Sequence, residues 1–300
     1  MIKTNLYTKV ALAVLAQALP FSASAQLAQP DTIYKQTFDD AASFMTMTLV
    51  DADKNGKQWE FSQDGYKKGY AQALHNFDFD SDNWLITPDL NLEGGRMYIL
   101  DYKAYGNGYF SSEMISQYMN VAFGRGPKPD AYTVVSTDKE IKPGTTFRNY
   151  RLYIKVKESA DDYRVGFEDV SYADSYILRV DDIFLTKGCL LEAPDSVSAF
   201  TATAAEKGVA SATLNFTAPS LTADGQPLGA LSKVSVYRDG TLIKVFMAPA
   251  AGAALSFTDT HALDGYNTYQ VVATNASGGG IVTARTVYVG VDVPAAPSNV

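Results

Sequence analysis

Beyond Gln26 the chain has almost no helical periodicity. Its apolar residues alternate with polar ones over short runs that Gly, Asp, Asn and Pro interrupt. The alternation is plain in 150–157, where Leu152, Ile154 and Val156 fall on one side and Arg151, Tyr153, Lys155 and Lys157 on the other. Successive side chains of a strand point to opposite faces, so this pattern predicts a sheet with one wet face and one core face. Comparable runs predict strands at 34–38, 44–50, 84–86, 96–105, 118–123, 146–156, 163–167 and 176–186. The 19 tyrosines and 15 phenylalanines suit that outcome, because flat rings pack well on a pleated surface. The expected fold class is all-β.

Near residue 190 the composition shifts to Ala, Thr and Val with few charges. Glu192, Ala193 and Pro194 read as a linker. Further runs follow at 197–203, 210–216, 232–237, 242–246, 255–258, 267–274 and 281–289. Seven short strands in about 100 residues is the spacing of an immunoglobulin-like sandwich. Asp239-Gly240, between two of these runs, is a hairpin-turn pair.

At the start of the chain, Lys3 and Lys9 precede a stretch at 10–19, apolar apart from Gln17, that Pro20 ends. Ala23, Ser24 and Ala25 then form a small-residue cleavage site. This predicts a signal peptide at 1–25 and export through the Sec pathway to the exterior or the cell surface. The apolar stretch is about half the ~20 residues a membrane-spanning helix needs, and no later segment is longer. The expected organisation is a signal peptide (1–25), a large β-sandwich (26–190), an immunoglobulin-like sandwich (191–292) and the start of a further domain or a linker (293–300). The last expectation rests on an echo: Ala193, Pro194 and Val197 recur as Ala296, Pro297 and Val300, about one sandwich domain later. The natural polypeptide is accordingly expected to continue past Val300.

The formal charge is −8, and −10 once Lys3 and Lys9 leave with the signal peptide. Both parts are acidic, which argues against a nucleic-acid partner and favours Ca²⁺. Cys189 is alone and makes no intramolecular disulfide, so stability must come from the core or a metal. His75 and His261 fall in different domains, which leaves no His-based triad. Gly-x-Ser-x-Gly, His-Glu-x-x-His and phosphate-cradling Gly-Lys-Ser/Thr patterns are absent. A carboxylate pair of the glycosidase kind stays open from sequence alone, but no enzyme activity is expected.

Two family resemblances organise these runs. Residues 192–292 resemble fibronectin type III in Ala193-Pro194, Asn215 to Pro219, Val236 to Gly240 and Tyr269 to Gly278. Phe216 stands where many members carry Trp. Tyr269 takes the place of a corner tyrosine whose hydroxyl, by that resemblance, bonds to backbone. Residues 27–188 resemble the cleaved-adhesin, or choice-of-anchor J, domains of Bacteroidetes surface proteins. The carrying motifs are Thr37-Phe38-Asp39, the stretch Thr48 to Trp59, Asp82-Asn83-Trp84-Leu85-Ile86-Thr87-Pro88, and Val180 to Leu185. The resemblance implies a jelly-roll-like β-sandwich that binds calcium and serves as an adhesin module.

Three candidate sites follow. Asp51, Asp53 and Asn55, with Gly56 after them, place oxygen side chains at alternate positions before a sharp turn, as in the first half of an EF-hand loop. Position 12 is Ser62, so the loop is no EF-hand. It is a Ca²⁺ loop or a polar Asx-turn. The resemblance sets the first and last strands side by side, which brings Asp39 near Asp181 or Asp182, unless one of them faces solvent. Such carboxylates need a cation or a shared proton between them. Tyr105, Tyr109 and Phe110, interspersed with glycines, read as an aromatic loop that contacts a ligand. The alternating acids Asp78, Asp80 and Asp82 either extend the first of these sites or form a wet strand edge, the latter being expected. Trp84 is expected in the core, and Trp59 in the core or supporting the loop. The expected function is a secreted, non-catalytic adhesion or ligand-binding protein, its partner a host or bacterial surface protein or glycan. The alternative is a spacer of a larger secreted peptidase or glycan-degrading enzyme.

Overall fold

The computed structural model describes residues 31–74, 77–107, 116–142 and 146–290. The expected signal peptide, the segment 293–300, and Tyr109 and Phe110 lie outside them.

The first sandwich is built from β1 (Thr32–Gln36), β2 (Thr48–Asp51), β3 (Trp59–Gln63), β4 (Gly69–Leu74), β5 (Asn83–Ile86), β6 (Leu90–Leu92), β7 (Arg96–Asn107), β8 (Gln117–Arg125), β9 (Thr133–Ile141), β10 (Arg148–Val156), β11 (Ala160–Asp169) and β12 (Ile177–Leu190). One sheet runs β10-β7-β12-β4-β3, with β1 also on β12; the other runs β2-β5-β11-β8-β9, with β6 also on β11. Their pairings are antiparallel. Trp59, Phe38, Leu85, Leu100, Tyr102, Met119 and Phe167 fill the space between the sheets. The alternation in 150–157 holds: Ile154 and Val156 are buried, and Arg151, Tyr153 and Lys155 face outward. Strand β5 is buried at all four positions, because Val50 and Tyr132 cover its outer face around Trp84 and Ile86.

One expected strand fails. Residues 44–50 split into the end of a short helix, α1 (Ala41–Phe44), and β2. Asp40 caps α1 by accepting the Ser43 N–H at 2.7 Å, and Phe44 drops into the core. A local cap outweighs the extended preference of the following residues.

The second sandwich is built from β13 (Ser198–Ala204), β14 (Ala212–Thr217), β15 (Lys233–Arg238), β16 (Thr241–Met247), β17 (Ala254–Asp259), β18 (Gly265–Asn275), β19 (Gly278–Gly279) and β20 (Thr283–Val289). Its sheets are β13-β14-β17 and β16-β15-β18, with β19 and β20 on β18, an immunoglobulin-like arrangement. Asp239 and Gly240 join β15 to β16 with φ of 48° and 81°, the paired positive angles of a type I′ hairpin turn. Phe216 packs edge-on against Phe200 and Phe246. The buried Tyr269 departs from expectation: its hydroxyl donates to the Asp259 carboxylate at 3.0 Å, not to backbone, and Arg238 holds the same oxygen at 2.7 Å.

The two sandwiches meet at a small cluster in which Cys189 and Ile281 pack on buried Met97, Leu191 and Ala223. Main-chain bonds from Leu191 to Gly95 and from Ile281 to Pro194 fix the junction. Burial there pushes the Cys189 thiol up, away from thiolate chemistry.

Removing the Tyr269 hydroxyl deprives the buried Asp259–Arg238 pair of a donor. Tyr269→Phe is expected to cost the second sandwich about 1–2 kcal/mol in urea unfolding, with the first sandwich unaffected.

Candidate functional site

The most structured polar feature sits at one rim of the β2-β5-β11 sheet. Asp51 pairs with Asn83 across β2 and β5, and Asn83 pairs with Asp169 across β5 and β11. Two residues inward on each strand stand Leu49, Leu85 and Phe167, all in or against the main core. Side chains two apart share a face, so Asp51, Asn83 and Asp169 form the last rung on the core-facing side. Asn83 and Asp169 are 1% and 2% exposed. The Asn83 Oδ1 is buried without a hydrogen-bond partner. Asp169 accepts the Ser171 N–H at 3.1 Å and the Ser171 Oγ–H at 2.5 Å. Burial outweighs these bonds and pushes its pKa up to about 6, with the Asp53 charge adding to the rise.

The 51–56 loop folds over this rung. The Asp51 carboxylate accepts the N–H groups of Asn55 at 3.2 Å and Gly56 at 2.9 Å. The Asp53 carboxylate accepts the Asn55 N–H at 3.1 Å, the Asn55 amide at 2.7 Å and the Asp82 N–H at 3.2 Å. Lys54 and Gly56 take positive φ, which curls the loop. Burial raises both aspartates. At Asp51 the bond to Asp53 and the loop N–H groups outweigh it and hold that carboxyl low, while the same bond adds to the rise at Asp53. Asp51, Asp53 and Asn55 are thus gathered in one loop.

The acids at 78–82 form no strand. Asp82 bonds back to the loop through its carbonyl, which accepts the Ala52 N–H at 3.0 Å, and its carboxylate accepts the Trp84 indole N–H at 3.1 Å. From beneath, buried Trp59 donates its indole N–H to the Asn83 carbonyl at 3.0 Å. Asn83 and Asp169 escape sequence reasoning because their partners lie on distant strands. The available signal is the run Val165, Phe167, Asp169, in which an acid takes a core-facing position.

The expected Asp39–Asp182 pair lies where β1 meets β12. Asp182 sits in a bulge with φ 48°, and the positive charge beside it is Lys103 Nζ, at 2.5 Å. Asp39 is exposed and accepts the Thr37 hydroxyl at 2.7 Å. The neighbouring Asp181 is pushed up to about 7, first by burial and then by the charges of Asp182 and Asp39, against the opposing Asp182 N–H and Lys103. Tyr105 is not in a loop: it belongs to β7, half-buried, with Phe147 5.7 Å from its ring. Among the described residues no three Asp, Glu, His or Cys side chains stand close enough together to hold a metal by themselves. No described helix is long and apolar enough to cross a membrane.

No protein-family model matches the sequence, and no curated protein matches it. Among solved structures, the K1 cleaved adhesin domain of Lys-gingipain from Porphyromonas gingivalis is 19% identical, with a TM-score of 0.40 over 51% of this chain and 96% of that one. The K3 cleaved adhesin domain of the same protein is 14% identical, with a TM-score of 0.39 over 53% of this chain and 99% of that one. A CBM22-2 xylan-binding domain from Paenibacillus barcinonensis is 11% identical, with a TM-score of 0.37 over 52% of this chain and 99% of that one.

A carboxyl whose folded pKa exceeds its unfolded value of about 4 binds a proton that the unfolded chain has released, so stability falls as pH rises between the two values. For Asp181 that window runs from about 4 to about 7. The melting temperature is expected to drop from pH 4.5 to pH 8, and Asp181→Asn to flatten the drop; an equal slope in the variant refutes the assignment.

Proposed function

We propose that this chain is a secreted or cell-surface, non-catalytic ligand-binding protein of the adhesin kind, whose first sandwich holds Ca²⁺ at the rim formed by Asp51, Asp53, Asn83 and Asp169. The observation that carries the metal is the Asn83 amide oxygen, buried without a partner between two register-paired carboxylates. A buried acceptor left unsatisfied costs roughly 1–3 kcal/mol. Two or more carboxylates beside it add mutual repulsion. A hard divalent cation answers both, because Ca²⁺ takes six to eight oxygens from carboxylates, amides, carbonyls and water in flexible geometry. The donor set is all oxygen, with no thiolate or imidazole, the chemistry that ion takes; its three aspartates are not drawn to ligand distances on their own, and the Asn83 amide and the 51–56 loop complete the set. The loop Asp51, Asp53, Asn55 and Gly56 supplies further oxygens from its open side. Export is supported by the charged, apolar and small-residue segments of 1–25. The partner class is a surface protein or glycan.

Calorimetric unfolding in Ca²⁺ and in EDTA tests the metal. A ligand bound only by the folded state adds about 2.7 kcal/mol at a hundred times its Kd. The expected result is a higher melting temperature for the first sandwich in millimolar Ca²⁺. The joint replacement Asp51→Asn, Asp53→Asn is expected to abolish the shift. A wild-type protein that melts alike in both buffers overturns the metal assignment.

A further inference from the structure

The outward face of the β10-β7-β12-β4-β3 sheet carries a cross-strand row that the rim site does not use. Glu60, Gln72, Arg179 and Tyr105 stand in register on β3, β4, β12 and β7. Gln72 Nε2 donates to Glu60 Oε1 at 3.1 Å, and Arg179 Nε donates to Gln72 Oε1 at 2.9 Å. The guanidinium lies over the Tyr70 ring at 4.7 Å and the Tyr105 ring at 5.2 Å. Phe147 packs against both tyrosines, at 6.0 Å and 5.7 Å. Arg179 is therefore fixed by a relay through Gln72 and by two aromatic faces.

Its charge is not answered. Arg96, Arg125, Arg151, Arg164 and Arg238 each pair with a carboxylate. Arg179 is half-buried, yet among the described residues it forms no ion pair, and its Nη1 and Nη2 bond to no protein group. In an acidic chain, holding such a fork open costs side-chain entropy and desolvation. The fork offers two parallel N–H donors whose planar geometry matches a carboxylate.

We propose that Arg179 binds the carboxylate of a uronic-acid residue in an acidic glycan, with Tyr105 and Phe147 offering apolar ring surface to the sugar. This deepens the ligand-binding reading above and rests on it, but it does not involve the cation. The neighbouring rows extend the surface. Asp101, Lys103, Asn149, Arg151, Asp182 and Phe184 line a depression of about 500 Å³, in which Lys103 stands two residues along β7 from Tyr105. Mixed donors and acceptors of this kind match sugar hydroxyls, which both donate and accept. Lys103 pairs with Asp182 and Arg151 with Asp101, so two of the carboxylates on this face are already answered by cations. An extended peptide lacks the corresponding foothold. β7 and β12 are hydrogen-bonded on both edges here, so no strand can be added.

Isothermal titration of the full chain tests the proposal with galacturonate and glucuronate oligosaccharides, their methyl esters, and poly-glutamate. The expected result is binding of one or both free acids, at least tenfold weaker binding of its ester, and at least tenfold weaker binding of the free acid by Arg179→Gln. Arg179→Lys keeps the charge and the aromatic contact but loses the fork. It is expected to bind several-fold more weakly than wild type, and it carries the test if Arg179→Gln fails to fold. Melting temperature and its Ca²⁺ shift, read on the same samples, are expected to stay at wild-type values. No binding of either acid, equal binding of acid and ester, or equal binding by wild type and the variants overturns the proposal. Poly-glutamate bound as tightly as the oligosaccharides overturns the glycan assignment. Uronate binding without a Ca²⁺ shift removes the metal and leaves this site standing.

Discussion

Strand β12 is hydrogen-bonded along both edges, and the rest of the first sandwich depends on that double pairing. On one side it follows β7 for its whole length; on the other it pairs with β4 over Ile177–Val180 and with β1 over Ile183–Thr186. The first strand of the domain and two middle ones are thereby held by the last. The bulge at Asp182 separates the two halves of that shared edge and takes φ 48°, a conformation few non-glycine residues adopt. It re-aims the chain so that the acids Asp181 and Asp182 meet Lys103 on the outer face. The same strand carries Arg179 at one end and delivers Cys189 to the domain junction at the other.

The opposing sheet solves a different problem. A sandwich core excludes carboxylates, because burying one without compensation costs several kcal/mol. Asp169 is nonetheless buried, and it is tolerated because it occupies the last rung, where Ser171 can reach its oxygens and the 51–56 loop can close over it. Moved two residues inward it would replace Phe167, between the sheets, with no donor in reach. The rim is the place in this fold where side-chain oxygens can be anchored in the core and still meet a surface loop.

Much of the architecture was legible because it is written in period-two alternation. The strand around Ile154 and Val156 and the Asp239-Gly240 hairpin follow from local chemistry alone. What escaped was non-local. Strands β3 and β4 hide in a segment rich in Gly, Lys and Gln, and they become strands only because Trp59, Ala71 and Ala73 find the core. Tyr105 closes the expected strand 96–105, and its neighbouring glycines make it look like the start of a loop as well; β7 in fact runs on past it to Asn107, with Ala104 buried before it. The 51–55 spacing exposed half of the rim site. The other half, Asn83 and Asp169, is created by strand register, which no short motif encodes.

The two sheets are not independent. Trp59 reaches inward from β3 to the carbonyl of Asn83, the central residue of the rim rung, and its neighbour Glu60 points outward to begin the relay through Gln72 to Arg179. Adjacent residues of one strand thus touch both features from opposite faces. A strand fixed at Trp59 by a buried, bonded indole has little freedom at Glu60, since one backbone carries both. Rigidity at the rim is passed to the outer face as orientation of a guanidinium whose usefulness depends on being aimed. Under the proposed uronate site, that is a mechanical reason to anchor one edge firmly and leave the opposite face free.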